Sequence, residues 1–361
     1  MAQTKEIIVS VKDTDVGLRL DVFISNLPEI DSRTLSQKII KNDSVVHQQT
    51  KKVLKTAYTV KKNDILIVQI PLQQKETHLQ PWNADIDIIF EDEHLAVINK
   101  ASGIAVHPSI GHQKHTLVNL LLHHCHSLSM GFNEERPGIV HRIDLQTSGL
   151  LVIAKNNKSH AFLAEQFKNK TTHRKYWALV FGQAYPPQGS IISWLKRDPR
   201  NRKKFASITK NIKNSMAVVS NDSPLVTSLI QTDKEQSTLK NKKTNAKQAI
   251  THYKMLKEHA CGVSLVECQL QTGRTHQIRV HMSEKGNSIL GDTLYGRSNR
   301  WKSVADIPMQ NLIKNLDRLA LCAYELGFVH PVSKKELRFK IGVPENLKDL
   351  MKALEFCNLV E

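Results

Sequence analysis

The chain has 361 residues, of which 40% are hydrophobic and 24% are charged, and this is enough apolar material to build packed interiors. Such a length corresponds to about two domains, and the composition excludes a collagen-like or wholly disordered chain. Since the 51 lysines and arginines outnumber the 34 acidic residues by 17, we expect a polyanionic partner such as nucleic acid.

The cysteines and the N-terminus indicate the compartment. The five cysteines are scattered and form no Cys-x-x-Cys pair, which predicts neither a disulfide framework nor a thiolate zinc site. The N-terminus lacks the basic and then apolar order of a signal peptide, and no apolar run approaches the roughly 20 residues that cross a bilayer. We therefore expect a cytoplasmic protein that does not contact a membrane.

Residues 1–72 predict a small domain of two helices and a short sheet. Strand-like alternation at 7–11 precedes the helical spacing of Leu18, Val22 and Phe23. A second helix is predicted over 33–41, and it leaves three basic side chains for solvent or phosphate: Arg33, Lys38 and Lys41. Strands follow near 44–47 and 65–70, and segment 73–82, which contains proline and several glutamines, predicts a linker.

From residue 83 onward, short apolar strands and helices are mixed without a regular alternation, which predicts an α+β domain with a largely antiparallel sheet. Strands are predicted near 86–90, 95–99, 139–140, 150–154, 176–181, 263–271 and 328–330. Helices are predicted near 116–124, 160–168 and 276–285, and Thr275 is predicted to cap the last of them. No glycine-rich nucleotide-binding motif follows any of these strands, so no nucleotide cofactor is predicted.

The excess of positive charge is concentrated in one stretch, because residues 196–257 carry 15 basic and 4 acidic groups. No aromatic residue and no glycine occurs between 206 and 252, so 207–245 is predicted to be a basic, flexible insertion. Such a segment either forms a solvated loop or contacts RNA phosphates, and the sequence leaves both interpretations open.

The segment from Gly138 to Lys155 places a polar loop between two apolar strands, and the loop carries His141, Arg142 and Asp144. Reactive side chains are commonly presented on loops that rigid strands support. The plainer interpretation is an aspartate that accepts hydrogen bonds from its own turn. The residues alone do not separate these two interpretations.

Motifs in three blocks resemble the RluA family of RNA pseudouridine synthases. The blocks agree with that family in order and spacing: His141-Arg-Ile-Asp144 with Thr147-Ser-Gly-Leu-Leu151, then His173-Arg-Lys-Tyr176, then Gly273-Arg-Thr-His-Gln-Ile-Arg279. The resemblance extends over 83–345 and leaves 346–361 as a C-terminal helix or tail. It implies a pseudouridine synthase catalytic domain that needs no metal, nucleotide or redox cofactor.

The resemblance also assigns roles to side chains. It implies that Asp144 is the catalytic carboxylate, that Tyr176 lies against the target base, and that Arg279 pairs with Asp144 and keeps it ionised. Arg142 is expected to fill the space that a flipped uridine leaves or to hold the distorted backbone, and His141 and Arg274 are expected to contact RNA. Asp144 either attacks the nucleotide covalently or removes the C2′ proton, and the sequence does not separate these routes.

Residues 1–72 resemble the S4-type RNA-binding domain through Arg19-Leu-Asp21, the basic helix and Lys62-Asn-Asp64. That family usually turns through Asn-Gly after its first strand, whereas His47-Gln48 stands here. An S4-like domain joined to this catalytic domain resembles the RluD-like and RluC-like members. Large-subunit ribosomal RNA is therefore the expected substrate, and a monomer is the expected state.

Several alternatives stay open. By pattern alone, Tyr176 is a core residue of a strand and Arg279 is an ion pair on a helix surface. Transfer RNA is the alternative substrate, and a non-catalytic RNA-binding or ribosome-assembly factor is the alternative function. A glycoside hydrolase needs two facing carboxylates, and Asp144 alone occupies a suitable setting. His123 and His126 have i, i+3 spacing, but no partner motif completes a metal site, so none is predicted.

Overall fold

The computed structural model describes residues 4–30, 33–71, 79–109, 111–125, 127–129, 136–208, 217–219 and 245–360. The described residues form two compact units, one ending at 71 and the other beginning at 79. No helix in these ranges is long and apolar enough to cross a membrane.

The first unit contains the two helices and the short sheet that its sequence pattern predicts. Its strands are β1 (Thr4–Ser10), β2 (Val45–His47) and β3 (Ile65–Pro71), and its helices are α1 (Leu20–Ser25) and α2 (Arg33–Lys41). The strands pair antiparallel in the order β1-β3-β2. Apolar side chains of both helices, among them Leu20, Phe23 and Ile39, are buried against this sheet in one core.

The turn after β2, where His47-Gln48 replaces the usual Asn-Gly, is organised by the histidine ring. The Thr50 amide donates to His47 Nδ1 at 3.3 Å, and His47 Nε2 lies 3.3 Å from Asp64 Oδ1. Because Nδ1 accepts, the Nε2 hydrogen points to Asp64, which also accepts from the Tyr58 hydroxyl at 2.7 Å. The side chain of His47 thus fixes the conformation of this turn.

The second unit is built on a sheet to which eleven strands of the described residues contribute. These are β4 (Asp87–Glu91), β5 (Leu95–Lys100), β6 (Ser148–Ala154), β7 (His173–Phe181), β8 (Gln188–Arg197), β9 (Phe205–Ser207), β10 (Ala217–Val219), β11 (Lys247–His259), β12 (Val263–Leu270), β13 (Leu321–Val329) and β14 (Glu336–Lys340). The order along the sheet is β10-β8-β11-β12-β7-β13-β6-β5-β4, with β14 on β13 and β9 on β8.

Helices cover this sheet and bury its apolar side chains. They are α3 (Leu117–His124), α4 (Asn157–Asn169), α5 (Gln277–Glu284), α6 (Ile307–Lys314) and α7 (Glu345–Ala353), together with short 3-10 turns. All pairs of neighbouring strands run antiparallel except β6 with β13. The predicted α+β class with a mixed, mostly antiparallel sheet is therefore confirmed.

The exceptional parallel pair requires a glycine. Gly149 of β6 is opposite Ala323 of β13. A Cβ at position 149 would lie 2.3 Å from the Ala323 carbonyl oxygen, and the backbone has φ +121°, which a side chain disfavours. The absence of a side chain thus lets β13 approach the strand that directly follows the loop of Asp144.

Some boundaries differ from the sequence expectations. Residues 139–140 form no strand but one bridge between Ile139 and Ile153, and β13 begins seven residues before the predicted strand at 328. β8 was not predicted, because glycine and serines interrupt its apolar alternation. The C-terminal segment 346–361, predicted as a helix or tail, contains helix α7 and packs on the main core through buried side chains: Leu347, Leu350, Met351, Leu354 and Phe356.

The linker and the insertion are partly described. Residues 79–82 of the predicted linker belong to the second unit, where the Trp82 amide donates to the Asn119 carbonyl at 2.9 Å. Within the predicted flexible segment 207–245, residues 217–219 form strand β10 against β8, which corrects the prediction there because Ala-Val-Val can extend the sheet edge. The rest of that prediction, at 209–216 and 220–244, lies outside the described residues.

Candidate active site

A pocket in the second unit collects side chains from all three blocks of the sequence. It encloses about 540 Å³ of space, including its open mouth. Four of the predicted functional residues line it, namely Arg142, Asp144, Tyr176 and Arg274, and a fifth, Arg279, lies behind Asp144 and contacts it. The loop before β6, strand β7 and the segment leading into α5 therefore meet at one place, as the resemblance implies.

The loop that carries Asp144 is fixed by a second loop. The Gly103 amide donates to the Leu145 carbonyl at 2.9 Å, and the Ser102 hydroxyl donates to the Gln146 carbonyl at 2.8 Å. The Thr147 amide closes the turn by donating to the Asp144 carbonyl at 3.1 Å. These backbone bonds leave the Asp144 carboxylate, which is 16% exposed, directed to the pocket.

Arg279 lies between two carboxylates. Its Nε and Nη2 donate to the two oxygens of Asp292, both at 2.8 Å, and its Nη1 lies 3.7 Å from Asp144 Oδ2. The Tyr295 ring covers the guanidinium, with Cζ 5.0 Å from the ring centroid. Burial disfavours the charge, but the hydrogen bonds to Asp292 and the attraction of Asp292 and Asp144 outweigh it and raise the pKa of Arg279.

Asp292 is the residue of this arrangement whose role the sequence analysis missed. Its Oδ1 also accepts from the backbone amides of Leu294 and Tyr295, each at 3.0 Å. The carboxylate is thus fixed by its own turn before it binds Arg279. The segment Leu290–Gly296 resembles the family, but its distance in sequence from Asp144 gives no sign that it contacts the same arginine.

The start of α5 corrects a sequence prediction. We expected Thr275 to cap this helix, but the cap is His276, whose φ of +59° lies in the left-handed region. The Gln277 side chain explains the difference, since its Oε1 accepts from the Arg274 amide at 3.0 Å and from the Thr272 hydroxyl at 2.8 Å. His276 in turn places Nδ1 2.8 Å from the Tyr295 hydroxyl and so joins α5 to the ring that covers Arg279.

Tyr176 lines the pocket from the middle of β7 and is 7% exposed. Burial, opposed by Arg174 and reinforced by the charge of Asp144, raises the pKa of Tyr176 to about 12. The phenol therefore stays protonated at neutral pH. This state suits a ring that packs against a base, and it disfavours removal of a proton by a phenolate.

The His141 ring makes two contacts with other parts of the second unit. Its Nε2 accepts from the Val152 amide at 3.0 Å, and its ring stacks on Phe167 with centroids 4.2 Å apart. Burial and the nearby charge of Arg174 lower the pKa of His141 to about 3, so the ring is neutral. These contacts hold the loop of Asp144 onto β6, and the RNA contact expected of the partly exposed His141 stays a prediction.

Lys100 is a second residue without a predicted role. It is 2% exposed, and its Nζ donates to the carbonyls of Ala101, Ile104 and Leu145 at 2.7, 2.9 and 3.1 Å. Burial lowers the pKa of Lys100 to about 7, although the charge of Asp144 opposes the shift. The lysine therefore links the loop after β5 to the residue that follows Asp144.

The remaining predicted residues differ in their placement. Arg142 is exposed at the rim of the pocket, and Arg274 is half-buried in its wall. Lys41 is exposed at the end of α2 in the first unit, whereas the side chains of Arg33 and Lys38 lie outside the described part of the chain. His126 is likewise not described, and the described residues contain no group of three side chains that could hold a metal ion.

Comparison with known proteins identifies relatives over nearly the whole chain. Residues 94–284 match the family model described as RNA pseudouridylate synthase. The chain is 39% identical to the ribosomal large subunit pseudouridine synthase D of Zymomonas mobilis, covering 97% of this chain and 98% of that protein. It is 33% identical to the protein of the same name from Xanthomonas campestris, over 95% and 91% of the two chains.

A solved structure shares the fold. Human RNA Pseudouridylate Synthase Domain Containing 4 superimposes with a TM-score of 0.51 at 24% identity. The match covers 74% of this chain and 93% of that one. The match supports the fold, and the sequence relatives supply the evidence for the family.

The Asp292→Asn variant tests the two-point contact between Asp292 and Arg279. The amide presents an N–H to the guanidinium and leaves Arg279 buried with less compensation, so we expect a loss of about 3–5 kcal/mol in unfolding free energy and a loss of turnover. Chemical denaturation measures the first effect. Asp349→Asn changes an exposed carboxylate of α7 and serves as the control. A variant as stable and active as the wild type would contradict this role.

The pKa of Lys100 predicts a pH dependence of stability. Between about pH 7 and pH 10, the unfolded chain holds a proton on Lys100 that the folded protein has lost, so folding releases it and stability rises with pH. The unfolding free energy of the wild type minus that of Lys100→Met should increase by about 1.4 kcal/mol per pH unit in this window. Denaturation at several pH values checks this, and a constant difference would show that Lys100 stays charged.

Proposed function

This chain belongs to the RNA pseudouridylate synthase family, and on that premise we propose that it isomerises uridines of large-subunit ribosomal RNA with Asp144 as the catalytic carboxylate. The predicted family and the predicted enzyme class, an isomerase that converts uridine to pseudouridine in RNA, are confirmed. The ribosomal substrate is taken from the printed names of relatives that match over nearly the whole chain.

The reaction detaches uracil from C1′ through N1 and rejoins it to C1′ through C5. An enzyme cannot reach these atoms inside a base stack, so the uridine has to rotate out of the RNA. A pocket with an open mouth, with Arg142 exposed at the rim, suits such a nucleotide. We propose that Arg142 either fills the space that the uridine leaves in the stack or holds the distorted RNA backbone beside it.

The proposal rests on the position of the Asp144 carboxylate. It faces the pocket, and the Arg279 guanidinium lies 3.7 Å away. The guanidinium thus places a fixed positive charge beside the carboxylate that both routes of catalysis use. Because Arg279 is itself bound to Asp292 on its other edge, it cannot close over Asp144 and block the approach of a nucleotide.

Tyr176 is assigned to the target base. Aromatic rings bind flipped bases by stacking, and the buried phenol lines the same pocket as Asp144. Since the pKa of Tyr176 is raised to about 12, the phenol is neutral at neutral pH, and we assign it stacking on the target base.

The first unit is assigned to RNA binding, through the exposed end of α2 at Lys41 and the S4-like arrangement of helices and strands. We place the protein in the cytoplasm, because its cysteines are free thiols and most of them are buried, which suits a reducing compartment. We also propose that a monomer suffices, since Asp144, Tyr176 and Arg279 all come from one chain.

The substrate is tested in cells that lack the gene. Pseudouridines in large-subunit ribosomal RNA are mapped by carbodiimide treatment and primer extension, after complementation with wild type or with Asp144→Asn. We expect specific stops to disappear on deletion and to return with the wild type alone. If the stops in ribosomal RNA were unchanged and those in transfer RNA were altered, the substrate would be transfer RNA. Restoration by Asp144→Asn would remove Asp144 from catalysis.

The stacking role of Tyr176 predicts a difference between two variants. Tyr176→Phe retains the ring and should bind substrate RNA with unchanged affinity, whereas Tyr176→Ala should lose about 1–3 kcal/mol of binding free energy. Equilibrium binding in the Asp144→Asn background measures both without turnover. Equal losses for the two variants would assign the phenol hydroxyl, and not the ring, to RNA binding.

A further inference from the structure

A buried guanidinium without a counter-ion lies in the wall of the pocket. Arg174 of β7 is 9% exposed, and its Nε has no hydrogen-bond partner. Within the described residues it forms no ion pair, and its guanidinium lies over the Phe167 ring, with Cζ 5.5 Å from the centroid. A ring face offsets only part of the cost of burying a charge.

A second arginine beside it increases this cost. Arg274 lines the same pocket, and its Nε donates to the Gln248 carbonyl at 2.9 Å. Burial and then the positive charge of Arg174 lower the pKa of Arg274, which shows that the two guanidinium groups repel each other. The free protein thus holds two like charges in one partly buried wall, and an anion between them would relieve both the repulsion and the burial.

The backbone is adapted to this arrangement. A Cβ at position 273 would lie 2.8 Å from Arg174 Nη1, so a side chain there would displace the guanidinium. Gly273 therefore allows Arg174 to lie against the segment that carries Arg274. The charge is held in place by its surroundings before any ligand arrives, which lowers the ordering cost of binding.

We propose that Arg174 and Arg274 form a subsite for the phosphodiester group that adjoins the flipped uridine. This inference rests on the proposed function, because it needs RNA in the pocket. The uracil ring is neutral and cannot compensate a buried cation, whereas every nucleotide brings one phosphate of opposite charge. Since Asp144 and Tyr176 line the same pocket, a phosphate fixed on this wall positions the sugar against the carboxylate while the base stacks.

The subsite has a consequence for the free protein. Arg174→Met keeps an unbranched side chain on Phe167 and removes the uncompensated charge, so we expect its melting temperature to exceed that of the wild type in the absence of RNA. RNA binding should weaken at the same time, with the slope of log K against log salt reduced by about 0.7, as for one lost phosphate contact. A residue that serves only the packing of β7 would show the opposite change in stability.

The decisive experiment combines this variant with chemically altered RNA. The substrate is the shortest RNA that the wild type modifies, made with a neutral methylphosphonate at the phosphate 5′ or 3′ of the target uridine. For wild type, one of these two replacements should lower kcat/KM by about ten- to a hundredfold, the range of a charge-assisted hydrogen bond. In Arg174→Met the same replacement should lower kcat/KM less than it does in wild type, because only Arg274 remains to bind the phosphate.

Matched controls define the other outcomes. A methylphosphonate three nucleotides away, and Lys352→Met on the exposed face of α7, should each leave this coupling unchanged. If both adjoining replacements act independently of Arg174→Met, the subsite is excluded while the proposed function stands, and Arg174 then contacts the base or only the protein. If the wild type modifies no ribosomal or transfer RNA, the proposed function fails and the subsite fails with it.

Discussion

The active site depends on one ion-pair arrangement, in which Arg279 binds Asp292 and approaches Asp144. A guanidinium this deeply buried is costly unless its donors are satisfied, and Asp292 satisfies Nε and Nη2 in a planar, two-point contact. That contact fixes the plane of the group, so Nη1 is left facing Asp144 at 3.7 Å. The Asp144 carboxylate therefore lies beside a positive charge, on Arg279, whose position the fold already fixes.

The fold supplies the supports of this arrangement from distant parts of the chain. The parallel contact of β6 with β13, made possible by Gly149, fixes the strand that follows the loop of Asp144. Lys100 and the backbone of Gly103 hold the same loop from the other side. Arg174 and Arg274 line the same pocket as Asp144, so two further positive groups and the carboxylate face one cleft.

Elements with strong local patterns can be predicted from the sequence, whereas contacts between different elements of the fold are missed. Strand β6 is recognisable from its continuous apolar run, and helix α2 from the helical spacing of its apolar residues. The resemblance to a family supplies the pairing of Arg279 with Asp144, which spacing alone could not. Asp292 and Lys100 were missed because their contacts, with Arg279 and with the Leu145 carbonyl, join different elements of the fold. The RNA contact expected of His141 stays a prediction.

A crystal structure of Asp144→Asn bound to a substrate RNA would show where the target uridine binds. We expect the target uridine to be rotated out of the RNA, with its ring against Tyr176 and its C1′ beside residue 144. We also expect Arg279 to keep its two-point contact with Asp292. A uridine that remains stacked in the RNA, or one bound at a place remote from residue 144, would contradict the assignment of this pocket as the active site.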